Sequence, residues 1–345
     1  MIPIQNIYYM LSYAFQVLNE QGYKNIATEQ FHNTAELMAA ILEKGIAIQL
    51  KRGLGKEYIP QTEALSSLRG KIDIAESIKT QSMLRKQLIC TYDEFSVNSI
   101  MNQIIKSTVE LLLRSNISKQ RKKNLRKLMI YFGEVDFIDL HTVNWNVQYN
   151  RNNQTYRMLI SICYLVVKGL LQTQSDGSKK LMDFLDEQRM CRLYEKFILE
   201  YYRKEFKNQI TANASQIPWQ LDNEENSMLP VMQSDIMLQS GEKVLIIDAK
   251  YYEHSTQVQF DKHTLHSGNL YQIFTYVKNK EYELREKEHT VSGMLLYAKT
   301  DEEIYPNNVY QMSGNQITVR TLDLNLPFTE IAEQLDTIAK LHFSL

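Results

Sequence analysis

Asp248 and Lys250 stand two apart in the run SDIMLQSGEKVLIIDAKYY, with only Ala249 between them. In an extended strand, residues at that spacing point to the same face. The apolar stretch Val244 to Ile247 ahead of them reads as a buried strand. Ser240-Gly241 reads as a tight turn. If that turn closes a two-residue hairpin, Asp235 falls opposite Ile246, on the face that carries Asp248 and Lys250. Two carboxylates and an ammonium then meet at one strand end. Oxygen ligands of this kind suit Mg²⁺, and no soft ligand beside them suggests zinc. A metal held there supplies Lewis acidity and lowers the pKa of bound water, while the lysine steadies charge on a phosphate. The chemistry implied is metal-dependent hydrolysis of a phosphodiester.

Asp-x-Lys alone is common by chance and often marks a strand leaving the core. Three further residues add weight to it. Glu195, in CRLYEKFILEYY, shares a largely apolar helix face with Cys191, Ile198 and Leu199. A carboxylate in that setting is either paired or binds something, so it is a candidate third metal ligand, with an ordinary ion pair as the alternative. Gln272 and Tyr276 lie four apart in NLYQIFTYVKN, hence on one helix face. Their polar ends could reach the lysine, a carboxylate or a phosphate, or could simply pack the helix on a sheet. His254, His263 and His266 follow the hairpin, but no compact carboxylate or cysteine partner accompanies them, which disfavours zinc.

The elements that must position these residues follow from pattern. IYYMLSYAFQVLN, NTAELMAAILEKGIAIQL, FSVNSIMNQIIKSTVELLLRSN, KQRKKNLRKLMIYF and YRMLISICYLVVKGLL read as helices. KRGLGKEYIP breaks the pattern with Gly53, Gly55 and Pro60. LRGKIDIAESI reads as a strand or a strand-to-helix transition, and FIDLHTVNWNVQY as loop with some strand character. The polar stretch QTQSDGSKK predicts a boundary between residues 1–172 and 180–345. Beyond it come a helix from about Leu181 to Phe206, a polar loop with DNEENSMLP, the hairpin, a helix after Ser267, the strands VSGMLLYAK and QITVRTLDL, and a helix over FTEIAEQLDTIAKLHF. The expected class is α/β (α+β overall), a mainly helical N-terminal region followed by a compact α/β module.

With 345 residues, 44% of them hydrophobic, the chain can bury the cores of two domains. Its 39 basic and 40 acidic residues leave a formal charge of -1, which does not favour nucleic-acid binding overall but allows a local basic groove. Such residues exist: Lys51, Arg52, Lys56, Arg69 and Lys71 punctuate glycine-containing loops, and Lys119, Arg121, Lys122, Lys123, Arg126 and Lys127 form a denser run. A charge run is most often a solvated helix face, and a phosphate contact is the competing reading. The 21 tyrosines are too scattered to mark a base-flipping pocket. Cys90, Cys163 and Cys191 lie far apart, as buried thiols in a reducing compartment do. The N-terminus lacks a basic leader and a cleavage site, and no stretch approaches the roughly 20 apolar residues of a membrane span. A cytoplasmic protein with no membrane association is expected.

Taken together, IPIQNIYYMLSYAF, LRGKID, NQIIKST, SDIMLQSGEKVLIIDAKYY and NLYQIFTY resemble the McrC family, the nuclease subunits of McrBC modification-dependent restriction systems. The resemblance covers nearly the whole chain. It implies a C-terminal PD-(D/E)xK restriction-endonuclease-like domain with Asp235, Asp248 and Lys250 as catalytic core, Glu195 as the acidic residue of the first core helix, and Gln272 and Tyr276 as the accessory Q-x-x-x-Y pair. Ser234 stands where the motif's proline would be, a departure common in that superfamily. The resemblance also implies Mg²⁺ as cofactor, with Asp235, Asp248 and Glu195 as its ligands. The implied partners are an McrB-like AAA+ GTPase hexamer, engaged and stimulated by the N-terminal region, and double-stranded DNA carrying 5-methylcytosine. GTP is then bound by the partner, and the absence of a G-x-x-x-x-G-K-[ST] run here agrees. Arg69, Lys71, Arg121 and Lys122 are the candidate partner or DNA contacts. A non-catalytic adaptor that activates the ring, or a stand-alone repair nuclease, are the other functions this pattern allows.

Overall fold

The computed structural model describes residues 2–15, 31–150, 155–176, 187–222, 228–251, 257–259, 262–299 and 305–345, with single positions 18, 23, 26, 29 and 153 between them. The chain divides into two units, Met1–Phe31 with Leu185–Leu345, and His32–Phe184. The α/β expectation holds, but the division differs at the N-terminus from the expected residues 1–172. Helix α1 (Ile4–Ala14) packs on α7 (Glu187–Glu205) and belongs with the C-terminal residues. Long-range polar and ring contacts explain why. Asn6 Nδ2 donates to the carbonyls of Leu324 (2.7 Å) and Leu326 (2.8 Å). The Tyr9 ring stacks on Phe328 at 4.4 Å between centroids, and the Tyr13 hydroxyl donates to Glu205 Oε1. The expected boundary around residues 172–180 reaches into 177–186, outside the described residues, as do the start of the helix expected from Leu181 and much of the DNEENSMLP loop.

The inserted unit is built on α2 (Thr34–Arg52), α4 (Ile100–Arg114), α5 (Lys119–Met129) and α6 (Tyr156–Asp176), with α2 packing on α5 and α6 and α4 on α6. Asn33, Ser99 and Ser118 each accept a backbone N–H at a helix start, satisfying donors the helix itself leaves open. A three-stranded antiparallel sheet, ordered β1 (Glu57–Leu65), β3 (Leu88–Ser96), β2 (Lys71–Asp73), leads into the short helix α3 (Ile74–Lys79). The LRGKID stretch is thus the expected strand-to-helix transition. Two strands were not anticipated. β1 contains Pro60, which lacks an N–H and is tolerated because β1 is an edge strand. Phe95, expected to open a helix, is the penultimate residue of β3, and that helix starts five residues later behind the Ser99 cap.

In the other unit a six-stranded mixed sheet runs β12 (Asn308–Met312), β13 (Asn315–Leu322), β11 (Thr290–Ala298), β8 (Lys243–Lys250), β7 (Ile236–Ser240), β4 (Thr211–Asn213). β8, β11 and β13 are parallel, and α8 (Ser267–Glu283) forms the crossover from β8 to β11. Gly293 lets α8 sit close: a Cβ there would lie 2.8 Å from the Ile273 side chain and 2.9 Å from Val277 and Ile317. The core on this face joins Val244 and Ile246 of β8 to Ile273, Tyr276 and Val277 of α8. β4 and β12, like the small pairs β5 (Gln216–Ile217) with β6 (Met232–Gln233) and β9 (Gln257–Gln259) with β10 (Lys262–Thr264), were not anticipated from the sequence pattern. Helix α9 (Phe328–Phe343) closes the chain as expected.

Candidate active site

The two-residue turn between β7 and β8 is Gly241-Glu242, one residue later than expected, because Ser240 pairs with Lys243. Gly241 has φ +57°, a left-handed conformation that glycine adopts freely at the first central position of such turns. The register Ile236 to Ile247 puts Asp235 next to the level of Asp248 rather than Ile246. Since strand faces repeat every two residues, the shift leaves the predicted face unchanged. Val244, Ile246, Asp248 and Lys250 alternate onto the side of the sheet that α8 covers.

The side chains meet at the end of β8. Asp235 Oδ2 accepts the backbone N–H of Ala249 at 2.9 Å. Lys250 Nζ lies 2.8 Å from Asp248 Oδ2 and donates to Gln272 Oε1 at 3.4 Å. Gln272 Nε2 in turn donates to the Tyr276 hydroxyl at 2.9 Å. Asp248 is 1% exposed, and apart from the lysine ion pair neither of its oxygens accepts a hydrogen bond among the described residues. A buried carboxylate left in that condition is costly unless a further cation completes it. Glu195, on α7, accepts from Cys191 Sγ at 3.1 Å, and that thiol also approaches the Ala249 carbonyl at 3.9 Å.

The electrostatics report the same crowding. Burial, then the Asp248 and Glu195 charges, push the Asp235 carboxyl up to about 8, against the pull of Lys250 and the Ala249 N–H. Burial also raises Glu195, with Asp248 adding to it and Cys191 and Lys250 opposing. The Cys191 thiol is pushed up to about 12 by burial and by its bond to Glu195, so it acts as a hydrogen-bond donor and not as a thiolate. Like charges that cannot all ionise at neutral pH are the condition a divalent cation relieves.

These ligand atoms fit Mg²⁺: hard carboxylate oxygens, among them the two of Asp248, buried and accepting no hydrogen bond, with Oδ2 ion-paired to Lys250. Among the described residues no group of three or more His, Cys, Asp or Glu is gathered to hold an ion. Two carboxylates with water completing the shell remains an ordinary arrangement for Mg²⁺, and Glu195 stands next to that pair through Cys191. Of the histidines, His254 lies outside the described residues, His263 falls in β10, and His266 precedes the first turn of α8. Cys90 and Cys163 are buried, Cys191 is partly so, and all three are free thiols.

The four basic candidates belong to the other unit. Arg69 lays its guanidinium 3.9 Å from the centroid of Tyr92, and Lys71 opens β2, exposed. Lys122 lies on α5, partly exposed. Arg121 departs from the expected contact role: it is mostly buried and ion-paired to Glu43 (2.8 Å) and Glu36 (3.3 Å), tying α5 to α2. One residue in contact with the site was not among those singled out beforehand. Cys191 stood four residues before Glu195, a spacing that already implied contact on a helix. No described helix is long and apolar enough to cross a membrane.

A family model described as McrBC 5-methylcytosine restriction system component matches residues 5–298. A curated relative, the type IV methyl-directed restriction enzyme EcoKMcrBC of Escherichia coli (strain K12), is 30% identical over 346 residues, spanning 97% of this chain and 96% of the relative. Among solved structures, a refined half-complex from a tetradecameric assembly of Thermococcus gammatolerans McrB AAA+ hexamers with bound McrC has a TM-score of 0.48 at 16% identity, over 97% of this chain and 76% of that one. A cryo-EM structure of the Thermococcus gammatolerans McrBC complex has a TM-score of 0.42 at 20% identity, over 59% of each chain.

Proposed function

The chain belongs to the family of McrBC 5-methylcytosine restriction system components, as its motifs led us to expect, and from that premise we propose that it is the DNA-cleaving subunit. The reaction is Mg²⁺-dependent hydrolysis of DNA phosphodiesters. One observation carries this reading: buried Asp248, ion-paired to Lys250 and otherwise unsatisfied, beside Asp235 at the end of one strand.

Asp235 and Asp248 would hold the ion, and Glu195 would take part from the adjoining helix. When bound, Mg²⁺ supplies Lewis acidity toward the phosphate and a water of lowered pKa. Asp235, kept protonated by its neighbours up to about 8, gives up that proton as the site takes on a cation. Lys250 presents its ammonium at the mouth of the carboxylate pair, where it orients the attacking water and steadies negative charge on the phosphate. Gln272 holds the lysine in that position, and Tyr276 fixes the glutamine amide by accepting its N–H.

The His32–Phe184 unit engages the partner, a hexameric AAA+ GTPase of the McrB kind that binds GTP and selects DNA carrying modified cytosine. The deciding experiment is a cleavage assay on methylated and unmethylated duplexes, with and without that partner, GTP and Mg²⁺. Asp248→Ala is expected to abolish nicking while the complex still assembles and turns over GTP. Normal cleavage by that variant would overturn the assignment.

A further inference from the structure

Helix α5 carries six cations in eleven residues and no acid. Arg121 is used internally, in its pairs with Glu36 and Glu43, and Leu125 is fully buried. Lys119, Lys123, Arg126 and Lys127 are exposed, and none of them has an acidic partner among the described residues. Lys123 follows Lys119 by four residues, and Arg126 and Lys127 follow Lys123 by three and four, so they line one face, and both the 119/123 and 123/127 pairs set like charges one turn apart. Lys119 also stands in the first turn, where the helix dipole is positive and a cation is unfavourable. Elsewhere the chain alternates charge on its helix surfaces, as in Lys280 with Glu283 on α8 and Lys340 with Asp336 on α9. A face this unbalanced is one that an external polyanion would stabilise.

We infer that the exposed face of α5, through Lys119, Lys123, Arg126 and Lys127, is a backbone-binding track for double-stranded DNA, separate from the catalytic centre. Lysine arrays with no acid between them match the pattern of phosphate contacts, whereas protein interfaces are depleted in lysine at their cores. The contact inferred is with backbone phosphates, which carry no sequence information of their own. Ile130 and Tyr131, both exposed, extend the face by one turn at its C-terminal end. The choice of DNA as the polyanion rests on the nuclease reading above.

The test is binding of the full chain to a labelled unmethylated duplex in EDTA, which keeps cleavage out of the measurement, across a salt series. Lys123→Ala with Arg126→Ala and Lys127→Ala is expected to weaken binding roughly tenfold or more near 0.1 M salt. It should also flatten the slope of log K against log salt by about 3, since each phosphate contact contributes about 0.9. Alanine favours helix, so this variant should keep the wild-type melting temperature. Arg121→Gln, in contrast, should lower the melting temperature. Unchanged affinity and slope in a folded triple variant would overturn the inference. So would unchanged DNA binding with lost binding to the AAA+ partner, which would mark α5 as a protein contact. Failure of the nuclease reading is distinguishable: the wild-type chain would then bind duplex through α5 and never nick it, even with the partner, GTP and Mg²⁺ present.

Discussion

The raised carboxyl of Asp235 has a measurable consequence. Its carboxyl is raised from the usual 3.8 to about 8, so the folded protein without metal keeps a proton that the unfolded chain releases near 4. Stability contributed by that proton is fully present below about pH 4 and is lost progressively as the pH rises toward 8. Asp235→Asn carries no such proton. In EDTA its melting temperature is expected to match the wild type near pH 4 and to exceed it increasingly up to pH 8. Adding Mg²⁺ at pH 8 should raise the wild type and leave the variant nearly unmoved. Melting curves whose difference is the same at every pH would show that neither burial nor the charges of Asp248 and Glu195 raise this carboxyl. At this scale the sequence was informative where partners are local. Asp248, Lys250, Gln272 and Tyr276 are joined by spacings of two and four, and these four do interact in the structure. Arg121 was misjudged because its partner Glu36 lies 85 residues away, and no local pattern reveals a contact across that distance.

At the scale of elements, two motifs of the His32–Phe184 unit have backbone reasons. Asn102, in NQIIKST, is fully buried and donates to the carbonyls of Gly55 (2.9 Å) and Val97 (2.8 Å) while accepting from Tyr156 (2.8 Å). Gly55 completes the knot: its N–H bonds the Tyr156 hydroxyl, and a Cβ there would lie 3.0 Å from that ring. Gly70, in LRGKID, has φ +68°, and a Cβ would collide with the Thr91 carbonyl and with Tyr92 of β3. Gly70→Ala combines a left-handed strain with a backbone clash, so we expect a loss of about 1–3 kcal/mol from this unit. Hydrogen exchange should find faster exchange in β2 and β3 and no change in β8 or β11. Equal protection in all four strands would mean the turn relaxes without cost. Such strands were hard to read beforehand, because β1 and β3 pair across more than 20 residues and Pro60 imitates a breaker. The β7–β8 hairpin was legible because its partners are adjacent, and even the wrong register preserved its face.

At the scale of the molecule, the N-terminal 31 residues complete a unit whose remainder starts at Leu185. Nothing in their own sequence indicates this, since Asn6 bonds to a carbonyl 318 residues away. Helix α1 buries Ile7, Tyr8, Met10 and Leu11 almost completely. At about 1.5–3 kcal/mol per large apolar side chain, the burial of these four amounts to roughly 6–12 kcal/mol as an upper estimate. A whole domain is stable by only about 5–15 kcal/mol. A fragment of residues 185–345 is therefore expected to lose most of its cooperative unfolding transition and to be digested quickly by proteases. Joining residues 1–31 to that fragment through a flexible linker should restore a sharp transition, because the tether of Asn6 and the stacking of Tyr9 on Phe328 come back with the helix. Asn6→Ala in the full chain tests the same link more gently: it leaves the Leu324 carbonyl, and with it Leu326, without that donor. We expect about 1–3 kcal/mol of destabilisation. A fragment lacking α1 that melts like the intact chain would mean that the sheet and its carboxylate cluster stand without the N-terminal helix.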